Sequence, residues 1–288
     1  MVDIVHGATG AQGSPVLSVL IAAGHTAIAA VRRPEAVPAG IAARQVDLAS
    51  AASLTPTYEG ADGVFIHLPM GAPEAAAAQA RAVVEAVTRA HPGRVVISTS
   101  GQVVDQPGSP LQAPGDSPIM TLIDGVTASG VPTAVVAPRL YLENLLLPVV
   151  LGPVREEGVL RYPLPASFPV SWSSHLDVAE VVVRLLTDAS PTTGTVGVGH
   201  LPGLTGPDLA AAFSSRLGRE VRFESITPEA FGELITPFFG PAAAPVVNLY
   251  RALNAQDGNT IAEDSSAQEI LRLQPRSIGR WLEDLAVS

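Results

Sequence analysis

The chain opens on the stretch Val2-Asp3-Ile4-Val5-His6-Gly7-Ala8-Thr9-Gly10-Ala11-Gln12-Gly13, and the fold follows from it. Val2–His6 is a short apolar run of strand character. Gly7, Gly10 and Gly13 follow it, each separated from the next by two residues. The residues after the third glycine have the apolar spacing of an amphipathic helix. A strand, a glycine-rich turn and a helix N-terminus in this order predict a binding site for the phosphates of a dinucleotide.

Each glycine has a predicted task in that turn. Gly7 permits the tight turn, Gly10 lets the backbone approach the pyrophosphate, and Gly13 allows the helix to pack closely on the strand. The phosphates are expected against the helix N-terminus, where free N–H groups favour anions. The predicted cofactor contacts in this turn are Gly7, Thr9, Gly10, Ala11, Gln12 and Gly13.

The rest of the first half alternates β-rich and helical segments. Strands are predicted at residues 2–6, 25–31, 43–46, 63–68, 94–98 and 133–137, and helices at 12–23, 74–90 and 118–129. This alternation predicts an α/β fold, a doubly wound parallel sheet of the Rossmann kind, with a smaller C-terminal substrate lobe. We expect residues 1–150 to form the dinucleotide-binding core, with 170–200 returning to it.

Residues 151–288 are expected to form mainly the substrate and cap lobe. Residues 153–169 have the composition of a loop-rich stretch, and the apolar, proline-containing residues 226–262 are predicted to form a mobile cap over an apolar pocket. Trp172 and His175 are predicted to line the wall of this lobe, and Asp177 to cap a helix.

Composition excludes several classes of function. The 47% hydrophobic and 15% charged residues fit a large buried core. The net charge of −10 argues against nucleic acid as a partner. With no cysteine in the sequence, disulfides, thiolate catalysis and cysteine-bound metals are excluded, and the histidine spacings predict no metal site. The start of the chain does not have the pattern of a signal peptide, and the apolar runs are too short to span a bilayer. We therefore expect a cytoplasmic monomer or homodimer that binds a small-molecule substrate and no membrane.

The glycine spacing resembles that of the extended and atypical short-chain dehydrogenase/reductases, particularly the NmrA-like family. The stretches that carry the resemblance are 2–15, Val31-Arg32-Arg33-Pro34, Val46-Asp47-Leu48, 137–146 with its Glu143-Asn144-Leu145-Leu146, and 174–179 with its Asp177-Val178-Ala179. The resemblance implies a Rossmann fold and a nicotinamide cofactor over nearly the whole chain. It does not choose a reaction.

The end of the second strand selects the form of the cofactor. Proteins that bind NAD place an acidic residue there for the ribose 2′-hydroxyl, whereas this chain places Arg32 and Arg33. An arginine fork suits a 2′-phosphate, so NADP(H) is predicted over NAD(H), with Arg32 ahead of Arg33. The family resemblance places Asp47 near the adenine.

The chain lacks the usual proton donor of short-chain dehydrogenases, Tyr-x-x-x-Lys, because all 17 basic residues are arginine. Ser98, Thr99 and Ser100 follow the fifth strand at the carboxyl edge of the sheet, where such folds bind ligands. Ser98 is predicted to contact the cofactor, and Ser100 to face the nicotinamide as a catalytic candidate. The alternative is that these hydroxyls only form hydrogen bonds with the backbone of their own loop.

Two further residues are catalytic candidates. His67 ends the fourth strand with Leu68 and Pro69, and all three are predicted to contact the cofactor. A contact with the cofactor alone is the preferred interpretation of His67 over acid–base catalysis. Tyr141 follows the sixth strand as a hydrogen-bond donor or as a packing residue.

Three functions remain open at this stage. The first is an NADPH-dependent oxidoreductase that transfers hydride to an activated, largely hydrophobic acceptor such as an enone, quinone, imine or iminium, because such acceptors need little acid assistance. The second is a non-catalytic NADP(H)-sensing regulator, since the resembled family includes redox sensors. The third is a non-redox isomerase or cyclase on the same fold.

Overall fold

The computed structural model describes residues 1–287. The strands are β1 (Val2–His6), β2 (Thr26–Val31), β3 (Ala42–Gln45), β4 (Gly63–His67), β5 (Val95–Ser98), β6 (Thr133–Pro138), β7 (Val159–Tyr162), β8 (Gly194–Val198) and β9 (Arg222–Ser225). The helices are α1 (Gly13–Ala22), α2 (Ala51–Tyr58), α3 (Pro73–Ala90), α4 (Pro118–Ala128), α5 (Pro148–Glu157), α6 (His175–Thr187), α7 (Gly206–Leu217), α8 (Pro228–Phe239), α9 (Ala243–Asn254), α10 (Ala267–Leu271) and α11 (Ile278–Asp284).

These elements form two compact units. Unit 1 comprises residues 1–138, 175–198 and 264–273, and unit 2 comprises 139–174, 199–263 and 274–287 of the described chain. The units divide the chain at residue 138, whereas the sequence analysis placed the boundary at 150. Unit 1 also includes residues 264–273, which no pattern in the sequence assigns to it. The assignment of a substrate-binding role to the C-terminal lobe stays a prediction.

Unit 1 is built on a seven-stranded sheet in the order β3-β2-β1-β4-β5-β6-β8, with every pair parallel. The predicted Rossmann-like α/β fold is therefore confirmed. The central strands are apolar because helices cover both faces of such a sheet. All six residues of β6 are buried, for example, as are the first four of β4. The order reverses between β1 and β4, and ligands bind at this switch point in open parallel sheets.

Unit 2 contains the small two-stranded parallel sheet β7-β9 together with α5, α7, α8, α9 and α11. Its centre is aromatic, because the rings of Tyr162, Trp172, Phe231 and Tyr250 pack at centroid distances of 5.5–5.7 Å. The Tyr162 and Tyr250 hydroxyls are hydrogen-bonded to each other. Burial raises the pKa of Tyr250 to about 12 and raises that of Tyr162 well above its usual value, so both stay phenols.

The second half is more regular than its composition predicts. The supposed loop-rich stretch 153–169 holds the end of α5 and all of β7, whose partner β9 lies more than sixty residues later in the chain. Residues 226–262, predicted as a cap, contain the two helices α8 and α9. His175 was assigned to the C-terminal lobe but belongs to unit 1, where α6 begins with it, two residues before the predicted Asp177 cap. The strand β7 was missed because its pairing partner lies far away in the sequence and leaves no local periodicity, and the cap role of residues 226–262 stays a prediction.

One helical stretch bears on the prediction of no membrane association. The stretch Pro228–Asn254, α8 and α9 with the 3-10 turn between them, is long and apolar enough to cross a bilayer by length and composition, with a mean hydropathy of 1.2. Helices of water-soluble proteins pass the same test, so the stretch is weak evidence for a span. The absence of a membrane and the cytoplasmic location both stay predictions.

Asp3 carries a stability prediction. Its side chain is fully buried in β1 against the backbone of Gly63, and neither carboxylate oxygen has a hydrogen-bond partner among residues 1–287. Burial raises the pKa of this carboxyl to about 6. The folded state therefore holds a proton that the unfolded chain releases near pH 4, so stability falls as the pH rises from about 4 to 6 and stays reduced above.

We expect Asp3→Asn to stabilise the protein by about 1–2 kcal/mol at pH 7.5 and by about a third of that at pH 4.5, because one pKa unit corresponds to about 1.4 kcal/mol and the buried asparagine amide stays an unsatisfied polar group. Thermal melts at the two pH values measure the difference. The exposed Asp116→Asn is the matched control. Equal stabilisation at both pH values would contradict this account of Asp3.

Candidate active site

The carboxyl ends of β1, β4 and β5 meet at one edge of the unit 1 sheet. Val5 pairs with Phe65, and His67 pairs with Ser98, so the residues just beyond these strands are neighbours. The glycine loop, His67 and the hydroxyls after β5 therefore come together as predicted from their positions along the chain. This edge is the candidate active site.

The glycine loop leaves no room for side chains at two of its glycines. Gly7 has a φ of +61°, and a Cβ there would lie 2.5 Å from Nε2 of His67. A Cβ on Gly13 would overlap the carbonyl oxygen of Gly7 and lie 2.5 Å from that of His6. The N–H of Gly10 donates to the carbonyl of Gly7 at 2.8 Å, which closes the turn. Thr9, Gly10 and Ala11 form its exposed outer rim.

His67 lies directly over the glycine loop. Its Nε2 is buried and has no hydrogen-bond partner among residues 1–287. Burial lowers the pKa of His67, and a backbone hydrogen bond to Leu68 opposes that shift. Leu68 itself is buried, whereas Pro69 is exposed.

Two more histidines lie near His67 in unit 1, and neither supplies a cation. Burial, with a smaller contribution from His67, lowers the pKa of His6 to about 3 and that of His175 to about 4. His6 is also hydrogen-bonded through Nε2 to the buried hydroxyl of Tyr58 at 2.8 Å. At neutral pH the three imidazoles are therefore neutral, which leaves this edge without a histidine cation.

The hydroxyls after β5 are joined to the glycine loop by one side chain. Ser98 donates from Oγ to Oε1 of Gln12 at 2.8 Å, and Nε2 of Gln12 donates to Oγ of Ser100 at 2.9 Å. The N–H of Ser100 donates to Oγ of Ser98 at 3.3 Å. Thr99, between the two serines, is fully buried. Sequence reasoning assigned Gln12 to the cofactor and did not predict this link, because it joins residues 86 and 88 positions apart.

The residues predicted to bind the adenosine part of the cofactor lie just after the ends of β2 and β3. Arg32 and Arg33 directly follow β2 and are exposed. The two strand ends are held together by a hydrogen bond from the N–H of Val46 to the carbonyl of Val31 at 2.9 Å. The exposed Asp47 accepts from the N–H of Ala49 through Oδ1 at 2.9 Å, which forms a local turn. Its predicted contact with the adenine stays a prediction.

Tyr141 belongs to unit 2, not to the unit that holds the glycine loop. Its side chain is buried and its backbone bridges to Ser173. The neighbouring Leu142 N–H donates to the carbonyl of Ser173 at 2.9 Å, so Tyr141 is firmly held within unit 2. Its catalytic role stays a prediction.

The family is decided by a profile match. The model of the NmrA-like family matches residues 4–282. This chain belongs to the NmrA-like family. The predicted resemblance is thereby confirmed over nearly the whole length, including both compact units.

Two relatives and one solved structure are similar to this chain over most of its length. It is 30% identical over 262 residues to the NAD(P)H azoreductase of Xenophilus azovorans, covering 88% of this chain and 87% of the relative. It is 28% identical over 292 residues to the (4-alkanoyl-5-oxo-2,5-dihydrofuran-3-yl)methyl phosphate reductase of Streptomyces griseus subsp. griseus, covering 96% and 95%. The structure of Citrobacter sp. triphenylmethane reductase complexed with NADP(H) superposes with a TM-score of 0.81 at 17% identity, covering 99% of each chain.

Proposed function

We propose that this protein is an NADPH-dependent reductase that reduces activated, largely hydrophobic organic acceptors, such as conjugated enones, quinones or iminium compounds. It is a reductase of the atypical short-chain dehydrogenase type, and its cofactor is NADP(H). The proposal adds the class of acceptor, which the chemistry of the site supports.

The residues of unit 1 fit a phosphate-bearing dinucleotide. Gly7 and Gly13 permit the tight turn and the close packing of the loop on the strand, and the loop leads directly into α1, whose N-terminus favours anions. Arg32 and Arg33 present exposed guanidinium groups at the end of β2, as a 2′-phosphate requires. We assign phosphate binding to Thr9, Gly10, Ala11 and the backbone of Gln12, with Leu68, Pro69 and Ser98 toward the nicotinamide.

The observation that carries the acceptor class is that the polar side chains at the ends of β4 and β5 carry no charge. Bound NADPH supplies a hydride, so the protein has to stabilise only the charge that develops on the acceptor. The groups at the ends of β4 and β5 are serine hydroxyls and a neutral imidazole, and the sequence has no lysine. A plain ketone would become an alkoxide and need a strong proton donor. A conjugated acceptor becomes a delocalised anion, which needs only a hydrogen bond and can take its proton from solvent, whereas a cationic acceptor is neutralised by the hydride and needs no proton.

The printed names of the relatives fit this chemistry. An azo bond and an acylated, unsaturated lactone are both electron-poor acceptors. We therefore prefer a reductase to a dinucleotide sensor or a non-redox isomerase. Ser100 is our candidate for the hydrogen bond to the acceptor, His67 for a cofactor contact, and Tyr141 for a second donor.

A substrate panel tests the proposal. The purified protein is titrated with NADPH and NADH by nicotinamide fluorescence and then given a quinone, a conjugated enone, a cyclic imine and a plain ketone. We expect oxidation of NADPH with the first three classes and a rate at least about 100-fold lower with the ketone, which lacks acid assistance. Tight NADPH binding without oxidation by any acceptor would favour the sensor. Efficient ketone reduction would contradict the acceptor class.

A further inference from the structure

The side chain of Gln12 sets the hydrogen-bond direction at the candidate active site. Its carbonyl oxygen accepts from Ser98, and its amide donates to Ser100. An amide nitrogen can only donate, so the hydroxyl oxygen of Ser100 serves as the acceptor in this bond. The hydroxyl proton of Ser100 therefore points elsewhere and stays available to another acceptor.

We propose that Gln12 is a positioning residue that turns the Ser100 hydroxyl into a hydrogen-bond donor for the reacting acceptor. The inference rests on the proposed reductase function and adds to it the orienting residue. Hydride addition to a quinone or enone places negative charge on its oxygen, and a hydroxyl oriented in advance stabilises that charge without reorganisation. If the Ser100 proton were directed at Gln12, no such stabilisation would be available.

The backbone of Ser100 is a second, independent observation. Its φ is +57°, in the left-handed region that non-glycine residues seldom occupy. Such strain is found at functional sites when surrounding contacts hold it. Here the contacts are the hydrogen bond from the Ser100 N–H to Ser98 Oγ at 3.3 Å and the amide of Gln12. One glutamine thus fixes both the position and the direction of the hydroxyl.

The position of Gln12 in the glycine loop links this hydroxyl to the cofactor site. Its side chain is engaged with the two serines, so its contact with the phosphates is expected through the backbone. Replacing the side chain should therefore change the reaction rate and leave NADPH affinity nearly unchanged. If the side chain merely supported the loop, its replacement would instead weaken NADPH binding and leave the reaction rate with bound NADPH nearly unchanged.

A double-mutant cycle tests the inference with menadione, a quinone, as acceptor. We expect Ser100→Ala to lower kcat about 30-fold and Gln12→Met, similar in length and without an amide, to lower it about 10-fold. The double variant should match Ser100→Ala within about twofold, because Gln12 acts through that hydroxyl. If the two effects were independent, kcat of the double variant would fall about 300-fold, and this result would overturn the proposal.

Two measurements without turnover complete the test. The Kd for NADPH of Gln12→Met, from nicotinamide fluorescence, should lie within about threefold of the wild-type value, a difference below about 1 kcal/mol. Hydrogen–deuterium exchange of the segment 98–102 should be faster in Gln12→Met. Gln102→Met is the matched control, because that amide donates to the carbonyl of Thr99 in the same loop and not to Ser100. A greatly raised Kd, or exchange unchanged from the control, would overturn the positioning role.

Failure of the underlying function gives a different result. If the wild-type protein oxidises NADPH with none of the acceptors in the panel, the reductase proposal fails, and the donor role of Ser100 fails with it. If the wild-type protein turns over and the cycle is additive, only the role of Gln12 is wrong.

Discussion

Replacing Arg32 by alanine is expected to weaken NADPH binding about 30-fold and to leave NADH binding within about twofold. The guanidinium of Arg32 is exposed at the end of β2, the position that meets the adenosine ribose in this fold. A bidentate, charge-assisted contact with a 2′-phosphate is lost in the variant, whereas NADH never makes it. Fluorescence titration with both nucleotides measures the two dissociation constants.

Two further arginine variants separate this contact from the effect of net charge. Arg33→Ala is expected to weaken NADPH binding only about threefold, because Arg32 is the principal ligand of the 2′-phosphate in our assignment. Arg81→Ala removes the same charge from an exposed position on α3 and should change neither constant. An equal loss of affinity for NADPH and NADH in Arg32→Ala would show that Arg32 does not read the 2′-phosphate.

Replacing Gly13 by alanine is expected to raise the Kd for NADPH more than 100-fold and to lower the melting temperature. The added methyl group would overlap the Gly7 carbonyl oxygen and lie 2.5 Å from that of His6. Backbone atoms cannot rotate away as a flexible side chain can, so α1 and the loop must separate. The phosphate cradle depends on that close packing.

Companion variants keep this prediction testable if Gly13→Ala folds poorly. A methyl group on Gly10 would meet only the Gly7 carbonyl oxygen, at 3.2 Å, so Gly10→Ala should fold and still bind NADPH at least about 10-fold more weakly, because it stands where the pyrophosphate approaches. Gly115→Ala, where the added atom meets nothing within 4 Å, should bind as the wild type does. Normal NADPH affinity in a folded Gly10→Ala variant would contradict the phosphate-loop assignment.

Local sequence signals determined the fold class and the location of the candidate site. The strand, glycine turn and helix of residues 2–22 are adjacent in the chain, so their periodicity and their glycines are readable without the rest of the molecule. Local signals also delimit α7, because Thr205 forms a capping box with Asp208 at its start and Gly218 adopts a φ of +65° at its end. Because carboxyl ends of parallel strands share one edge, His67 and Ser98 could also be placed together from order alone.

Only the tertiary structure decided which atoms face one another at that edge. The Gln12 bridge to Ser98 and Ser100, the position of His67 over Gly7, and the pairing of β7 with β9 all join segments distant in sequence. The protonation states were decided there as well, because the low pKa of His6 and the high pKa of Asp3 arise from burial, which no short stretch of sequence contains. Periodicity and turn chemistry act over a few residues, whereas hydrogen-bond direction and desolvation depend on the packing of the whole sheet.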